Sequence, residues 1–357
     1  MVLRELRIQN LRLVEDLDLA LDSGWTAFVG PNGAGKSSLL EAAYLLSHGR
    51  SFRRGARDSL TRLGSPGFSV FGRLLRADGS ERRLGLARSE GRLDARLDGV
   101  ATGIAGLVGA CAVVCFEPGS HELINRVAEE RRRYLDWGVF HVEPTFLSCW
   151  RRYQRALRQR NMVLRDGARA GGLEPWEIEM ADAGSRITAM RQSYIERLRP
   201  VLDEILDGFL GELGAVSVHL QWGWKEGLSL AEALLEGRGR DLERGFTGRG
   251  PHRADWSIGF EHAPRREHLS RGQEKLCALA LVFAQARLYA EQCGEAPVLC
   301  LDDLASELDR DHQSRVVQLA QGSGAQVLVT GTELPTGLSE LAHPLQVFHV
   351  EQGRIRR

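Results

Sequence analysis

The octapeptide Gly30-Pro31-Asn32-Gly33-Ala34-Gly35-Lys36-Ser37 constrains this chain more than any other stretch. It satisfies G-x-x-x-x-G-K-[ST] at every fixed position. Trp25-Thr26-Ala27-Phe28-Val29 before it reads as a short buried strand, and Ser38 to Leu46 after it carries apolar residues at helical spacing. That strand–loop–helix order is the context the pattern requires. Glycines let successive backbone N–H groups turn inward, which makes an anion-binding concavity at a helix N-terminus. On this reading Gly30, Pro31, Asn32, Gly33, Ala34, Gly35, Lys36, Ser37 and Ser38 hold the phosphates of ATP. Lys36 reaches the β- and γ-phosphates, and the Ser37 hydroxyl ligates Mg²⁺. A plain glycine-rich turn before a helix is the bland alternative, and the agreement of residues with context weighs against it. Lysine occurs only at 36, 225 and 275, against 44 arginines, so a compact ammonium is kept at the phosphate site of an arginine-biased chain.

With 357 residues the chain has room for one large domain or two ordinary ones. Formal net charge is zero, so only the distribution of charge can speak about partners. Cys111, Cys115, Cys149, Cys277, Cys293 and Cys300 form no C-x-x-C pair, and several lie in apolar runs. Buried reduced thiols are expected, not ligands or disulfides. No secretory leader precedes the first strand. The longest apolar stretch, Ile104 to Phe116, is too short to span a bilayer. A cytoplasmic protein with no membrane partner is the expectation.

Period-two alternation at Leu6 and Ile8, then at Leu17, Leu19 and Leu21, predicts two antiparallel strands leading into the phosphate-loop strand. His48-Gly49-Arg50-Ser51-Phe52-Arg53-Arg54-Gly55 follows the first helix as a basic loop. Phe68–Leu75, Arg82–Ala87 and Arg92–Leu97 alternate again and suggest a β-meander, and Ala110–Phe116 is an apolar run of strand length. From about Ala128 the pattern turns helical, and residues 131–170 hold ten arginines against Asp136, Glu143 and Asp166, a net +7. Arg151, Arg155, Arg158, Arg165 and Arg169 fall close to one helical face, near Phe146, Trp150 and Tyr153. A solvated arginine face is the ordinary explanation. One-sided clustering in a neutral protein points instead to contact with a DNA phosphate backbone. Trp176 to Leu213 is a further helical pattern in which Pro200 marks a kink or break. Gly250-Pro251-His252-Arg253 signals a turn before a strand over Ala254–Phe260.

Leu269-Ser270-Arg271-Gly272-Gln273 precedes an apolar helix. It satisfies a capping box, S-x-x-Q, and could be nothing more. Functionally, Ser270, Gly272 and Gln273 would present donors and a positive helix end to a nucleotide γ-phosphate. Val298-Leu299-Cys300-Leu301-Asp302-Asp303 then has four apolar residues ending in paired carboxylates, as a buried parallel strand delivers acids to its carboxyl end. Asp302 would hold Mg²⁺ directly or through water, and Asp303 would polarise the attacking water or act as general base. Ser306-Glu307-Leu308-Asp309 reads as a cap and loop. Gln326–Thr330 is another buried strand that would bring Thr330 or Thr332 near the γ-phosphate, and Leu345–Gly353 forms a terminal hairpin.

Lys36 and Ser270 are 234 residues apart, whereas Ser270 and Asp302 are separated by 32. The two ends of the chain therefore share one nucleotide domain (1–120 and 265–357), with a mainly helical lobe at 121–264 leading to the serine motif. Such a layout suits a serine motif that closes on the ATP of a second subunit, giving an ATP-dependent homodimer.

The order of phosphate loop, LSRGQ, LDD and SELD resembles the ABC-type ATPases, including SMC-class heads. End to end the chain most closely resembles the RecF family of bacterial DNA replication and repair proteins. The resemblance rests on GPNGAGKSS at 30–38, HGRSFR at 48–53, ERRRYLDWGVFHVEP at 130–144, LRQRN at 157–161, GPHRAD at 250–255, LSRGQEK at 269–275, LDDLASELD at 301–309 and VEQGRI at 350–355. It implies an α/β P-loop ABC-type ATPase head with an inserted mainly helical lobe and no long coiled coil. It also implies binding to DNA where duplex meets single-stranded gaps, an ATP-driven dimer, slow Mg²⁺-dependent hydrolysis, and action with RecR and RecO to load RecA. Ser270 would be the trans γ-phosphate sensor. Two positions depart from the general ABC pattern. Asp303 stands where transporters usually carry Glu, a shorter reach consistent with slow turnover, and Glu117 stands where a glutamine usually contacts metal and water. Pro118-Gly119-Ser120-His121 is also irregular for the family. Three rivals fit less well. A transporter ATPase would place the serine motif nearer the phosphate loop and lack the basic insertion, an SMC-like structural head needs long heptad arms, and a generic nucleotide switch needs no DNA face.

Overall fold

Alternating apolar residues at the start of the chain become a hairpin, β1 (Val2–Leu11) and β2 (Val14–Ala20), in which Glu5 lies opposite Ala20 and Leu11 opposite Val14. The computed structural model describes residues 1–53, 60–125, 128–166, 172–338 and 345–356. Arg54 and Gly55 of the predicted basic loop, and Arg169 of the predicted stripe, lie outside the described residues. The chain divides into two units, Met1–His121 with Lys275–Arg357, and Glu122–Glu274. The motif Leu269–Gln273 therefore belongs with the inserted unit.

In the first unit the chain continues through β3 (Trp25–Val29), α1 (Lys36–His48), β4 (Gly67–Leu75), β5 (Glu81–Ser89), β6 (Arg92–Leu97), β7 (Val100–Thr102), α2 (Ile104–Ala110) and β8 (Val113–Phe116). Strands β2-β1-β4-β5-β6-β7 form one antiparallel sheet in that order. The run at 104–116 is not one apolar strand. Its first half is α2, and β8 pairs with a partner strand only four residues long, which limits the ladder to Val113–Phe116.

The inserted unit holds α3 (Glu122–Asn125), α4 (Ala128–Val142), α5 (Phe146–Arg165), α6 (Glu174–Leu210), β9 (Val216–Gln221), α7 (Leu230–Arg244) and β10 (Asp255–Phe260). Strands β9 and β10 pair antiparallel. Helix α6 runs 37 residues through Pro200, where a kink or break was expected, and is not broken there. Proline there forfeits one hydrogen bond to the preceding turn, while Leu198, Val201, Leu202, Ile205, Leu206 and Phe209 are all buried on one side. That burial outweighs the lost bond.

The chain returns through α8 (Arg271–Cys293), β11 (Val298–Leu301), α9 (Leu304–Glu307), α10 (Arg310–Gly322), β12 (Val327–Gly331), β13 (Leu345–Glu351) and β14 (Arg354–Arg356). The second sheet has the order β14-β13-β3-β12-β11-β8. It is parallel except for the terminal β13–β14 hairpin. Trp25 to Phe28, Val298 to Leu301 and all of β12 are buried, as strands covered on both faces must be. All six cysteines are free thiols, and burial pushes the Cys111 thiol up to about 12. No helix among the described residues is long and apolar enough to cross a membrane.

The core of the inserted unit is unusually ionic. Arg160 is 0% exposed and donates to Asp241 Oδ2 (2.7 Å), Thr247 Oγ1 (2.8 Å) and Glu177 Oε1 (3.0 Å). Asn161 Oδ1 accepts both the Thr247 N–H (2.8 Å) and hydroxyl (2.7 Å), and the Gly248 N–H donates to Asp241 (2.9 Å). The neighbouring motifs LRQRN and GPHRAD are thus two sides of one buried network. Tyr153 Oη and His252 Nδ1 lie 2.6 Å apart, and His252 Nε2 lies 3.2 Å from the Thr247 carbonyl. A neutral imidazole satisfies both: Nε2–H donates to the carbonyl and Nδ1 accepts from the phenol. Burial first, then the charges of Arg253 and Arg132, lower the His252 pKa to about 4.

Arg160→Ala leaves the buried Asp241 without its cation, while Glu177 keeps Arg238, and should destabilise the protein by about 3–5 kcal/mol, read as a fall in urea midpoint. His252 gives a pH signature. The unfolded chain takes up a proton at the ordinary imidazole pKa of 6.5, the folded chain not until about 4. This contribution is complete above pH 6.5, is lost as pH falls towards 4, and amounts to at most about 3 kcal/mol. His252→Gln should flatten that limb of the stability–pH curve, and an unchanged limb would refute a neutral buried imidazole.

Candidate nucleotide site and nucleic-acid interface

The phosphate loop leaves β3 with its Gly30 N–H donating to the Gly331 carbonyl (3.2 Å) and enters α1 with the Ser38 N–H donating to Gly35 O (3.0 Å). Gly35 has φ 104, a left-handed conformation open to glycine. The terminal hairpin braces the loop. Gly353 N–H donates to Ala34 O (2.8 Å), and a Cβ on Gly353 would lie 2.3 Å from the Leu13 carbonyl. VEQGRI at the chain's end is therefore part of the nucleotide site's support.

Lys36 is 7% exposed, and its Nζ donates to Gly30 O (2.8 Å) and Pro31 O (3.0 Å). Burial lowers its pKa, while the charges of Asp303 and Asp302 act to raise it. Asp302, one residue beyond β11, is 3% exposed. Its N–H donates to Phe116 O (2.8 Å), and its carboxylate accepts from the hydroxyls of Thr330 (2.6 Å) and Ser37. Burial raises the Asp302 pKa; the bonds from Thr330 and Ser37 and the charge of Arg53 oppose that rise. Sequence reasoning paired Ser37 with Asp302 at a metal, and the fold brings them into hydrogen-bond contact. One hydroxyl and one buried carboxylate, both hard oxygen ligands, fit Mg²⁺, which usually takes one or two protein ligands and completes its shell with phosphate and water. Among the described residues no group of three or more His, Cys, Asp and Glu could hold a metal alone.

Asp303 has φ 54 and ψ 36, left-handed for a non-glycine residue, and begins α9. Its N–H donates to Thr330 Oγ1 (2.9 Å), and its carboxylate accepts the Ser306 hydroxyl (2.9 Å). Thr330 therefore lies against the two acids. Ser306 and Glu307 lie in α9, and Asp309 caps α10 by accepting the His312 N–H (3.0 Å). Glu117 closes its own turn: its carboxylate accepts the Gly119 N–H (2.7 Å), and its N–H donates to Ser120 Oγ (2.9 Å). That self-closed turn is the local form of the irregular Pro118–His121 segment.

Sequence reasoning missed the support for the basic loop. Arg12, at the tip of the β1–β2 hairpin, grips Glu41 of α1 with two bonds of 3.0 and 2.8 Å. Glu41 is 0% exposed and also accepts the Ser51 hydroxyl, which in turn accepts the Arg53 N–H (2.8 Å). This relay holds Arg53 where its charge acts on Asp302. An acid inside the apolar run Leu39-Leu40-Glu41-Ala42-Ala43 was the available signal.

In the inserted unit, the Ser270 N–H donates to Gln273 Oε1 (2.9 Å) and the Gln273 N–H donates to Ser270 Oγ (3.3 Å). The capping box is real, and Ser270, Arg271 and Gly272 stay exposed at the start of α8. Helix α5 has two unlike faces. Tyr153, Leu157, Arg160 and Leu164 are buried, and Arg151, Arg155, Arg158 and Arg165 are exposed on the other side. Among the described residues none of these four forms an ion pair, although the charge of Arg155 reaches Glu179. Arg152, next to the stripe, is held by Glu179 (2.7 Å) and Asp182 (2.9 Å). Phe146, Trp150 and Tyr153 do not interleave the stripe; they stack on one another, and Arg191 lies over the Trp150 ring.

The family model described as RecF/RecN/SMC N terminal domain matches residues 89–356, and an AAA ATPase domain model matches residues 1–71. "DNA replication and repair protein RecF" of Stenotrophomonas maltophilia (strain R551-3) is 47% identical over 361 residues, covering 99% of both chains. The protein of the same name from Shewanella denitrificans is 34% identical, again covering 99% of both. A solved RecF–ATP structure, described as a recombination mediator of the RecFOR pathway, superposes with TM-score 0.89 at 26% identity, covering 99% of this chain and 97% of that one. An Smc head domain from Pyrococcus furiosus shares the fold, with TM-score 0.59 at 17% identity over 99% of this chain and 95% of that one. This α/β chain, an ABC-type ATPase head with an inserted mainly helical lobe, belongs to the RecF family.

Proposed function

We propose that this protein is an ATP-dependent DNA-binding protein of recombinational repair and replication-fork recovery. It binds duplex DNA beside single-strand gaps, dimerises on ATP, hydrolyses ATP slowly with Mg²⁺, and works in the cytoplasm with RecR and RecO to load RecA. The observation that carries the ATPase reading is the convergence of Ser37, Asp302 and Thr330 at one point beside Lys36. Local patterns in three distant parts of the chain meet there.

Lys36 exchanges its two loop carbonyls for phosphate oxygens when ATP enters. Ser37 and Asp302 would hold Mg²⁺, which would supply charge neutralisation to the phosphates. Asp303 takes the proton of the attacking water as the new bond to the γ-phosphorus forms and the bond to ADP breaks, leaving ADP and phosphate. Its short side chain and its bond to Ser306 support slow turnover. Ser270, Gly272 and Gln273, exposed or half-exposed at a helix N-terminus, complete the site from a second subunit. DNA lies along the stripe of Arg151, Arg155, Arg158 and Arg165.

Sedimentation and DNA binding, each with and without ATP, test both halves. ATP should drive dimer formation and salt-sensitive DNA binding, and Lys36→Arg should weaken that coupling; a protein that stays monomeric in saturating ATP removes the dimer. Charge reversal at Arg155 and Arg158 should weaken DNA binding roughly tenfold or more and flatten the log–log salt slope by about 2. ATP affinity should survive, and unchanged DNA affinity would place the interface elsewhere.

A further inference from the structure

Thr330 is 1% exposed near the end of β12, and its hydroxyl has one proton and two lone pairs to assign. Its partners decide the assignment. An ionised carboxylate can only accept, so Thr330 donates to Asp302 Oδ1 at 2.6 Å. A backbone N–H can only donate, so Thr330 accepts from Asp303 at 2.9 Å. The single proton is spent on Asp302, and none remains for a phosphate oxygen. Sequence position alone placed Thr330 or Thr332 near the γ-phosphate; for Thr330 this geometry serves the two acids instead.

The two bonds fall on consecutive residues with different tasks. Strands β11 and β12 pair in register as far as Leu301 opposite Val329, and Asp302 and Thr330 are the next residues of each. The side-chain bond continues the ladder by one rung where the backbones stop pairing. The second bond reaches Asp303 just as the chain leaves the strand in a left-handed conformation that a residue with a Cβ disfavours. One hydroxyl thereby fixes the plane of the first carboxylate and the backbone that aims the second.

We infer that Thr330 is a positioning residue whose hydroxyl holds Asp302 ready for the divalent cation and keeps Asp303 in register with it. The inference rests on the reading that Asp302 and Ser37 hold Mg²⁺. Other groups at the same carboxylate do different work. Ser37 arrives from α1 and can leave Asp302 to ligate the ion, while Arg53 acts through charge. Thr330 is fixed in β12, and among the described residues its hydroxyl bonds to Asp302 and Asp303.

The test measures affinity for a fluorescent non-hydrolysable ATP analogue in Mg²⁺ and in EDTA, on the full chain, Thr330→Val and Thr330→Ser, with melting temperature as a folding control. The parent should bind at least about tenfold more tightly with Mg²⁺ than in EDTA, a gain of the size expected for bonds to charged groups. Thr330→Val should keep the EDTA affinity within about twofold and lose most of the Mg²⁺ gain, since only the hydroxyl is removed. Thr330→Ser, which keeps the hydroxyl and loses a methyl, should keep the gain even if it melts earlier. A full Mg²⁺ gain in Thr330→Val overturns the inference and leaves the metal reading standing; no gain in the parent overturns both. Loss of the gain in Thr330→Ser assigns the effect to side-chain shape and also overturns it, and this arm decides if Thr330→Val does not fold.

Discussion

To hold a cation, as proposed, Asp302 must carry a negative charge at a position almost closed to water, and several elements of the first unit bear on that charge. Burial alone would drive the carboxylate towards its neutral form, which cannot hold a cation. Hydroxyls of Ser37 and Thr330 and the charge of Arg53 counter it, each delivered by a different element. Strand order makes this possible. Strand β12 lies between β3, which leads into the phosphate loop, and β11, which ends at the acids. A residue at the end of β12 is therefore beside both halves of the site.

A comparable constraint shapes the inserted unit, where arginine is the common cation. The excess of positive charge over residues 131–170 does not become one broad basic surface. Acids from α6 and α7, outside that window, neutralise its inner part: Glu177 and Asp241 take Arg160, while Glu179 and Asp182 take Arg152. Arg131 is taken by Asp255 and Arg191 by Asp136. A buried guanidinium without such partners would be too costly to keep. What remains outside is one narrow line along α5. The same helix thus anchors the core with one arginine and presents four others to solvent, separated by half a helical turn.

Local patterns were legible and long-range pairings were not. The phosphate loop and the Val298–Asp303 strand could be found because their chemistry lies in adjacent residues, and the order of motifs was enough for the ATPase head. Glu41 and Arg12, by contrast, lie 29 residues apart, and Asp302 and Thr330 28 apart. Neither pairing has a periodicity to betray it. A kink or break at Pro200 was expected because propensity speaks for the isolated helix, whereas the buried face of α6 is a tertiary fact. The strand read at 110–116 starts at Val113, because apolar residues at its beginning suit helix and strand alike. Ser270 shows a different limit: the capping box and the phosphate-sensor reading use the same atoms, and a capped helix end is also a donor-rich one.

Charge balance explains why nucleotide and cation belong together in this site. Lys36 and Arg53 act on Asp302, and Lys36 also feels Asp303, so two cations face two acids. A triphosphate bound beside Lys36 would add several negative charges near Asp302. Repulsion of that kind in a buried setting is far stronger than in water. On the proposed reading, a divalent cation held by Asp302 and Ser37 would convert that repulsion into attraction on both sides.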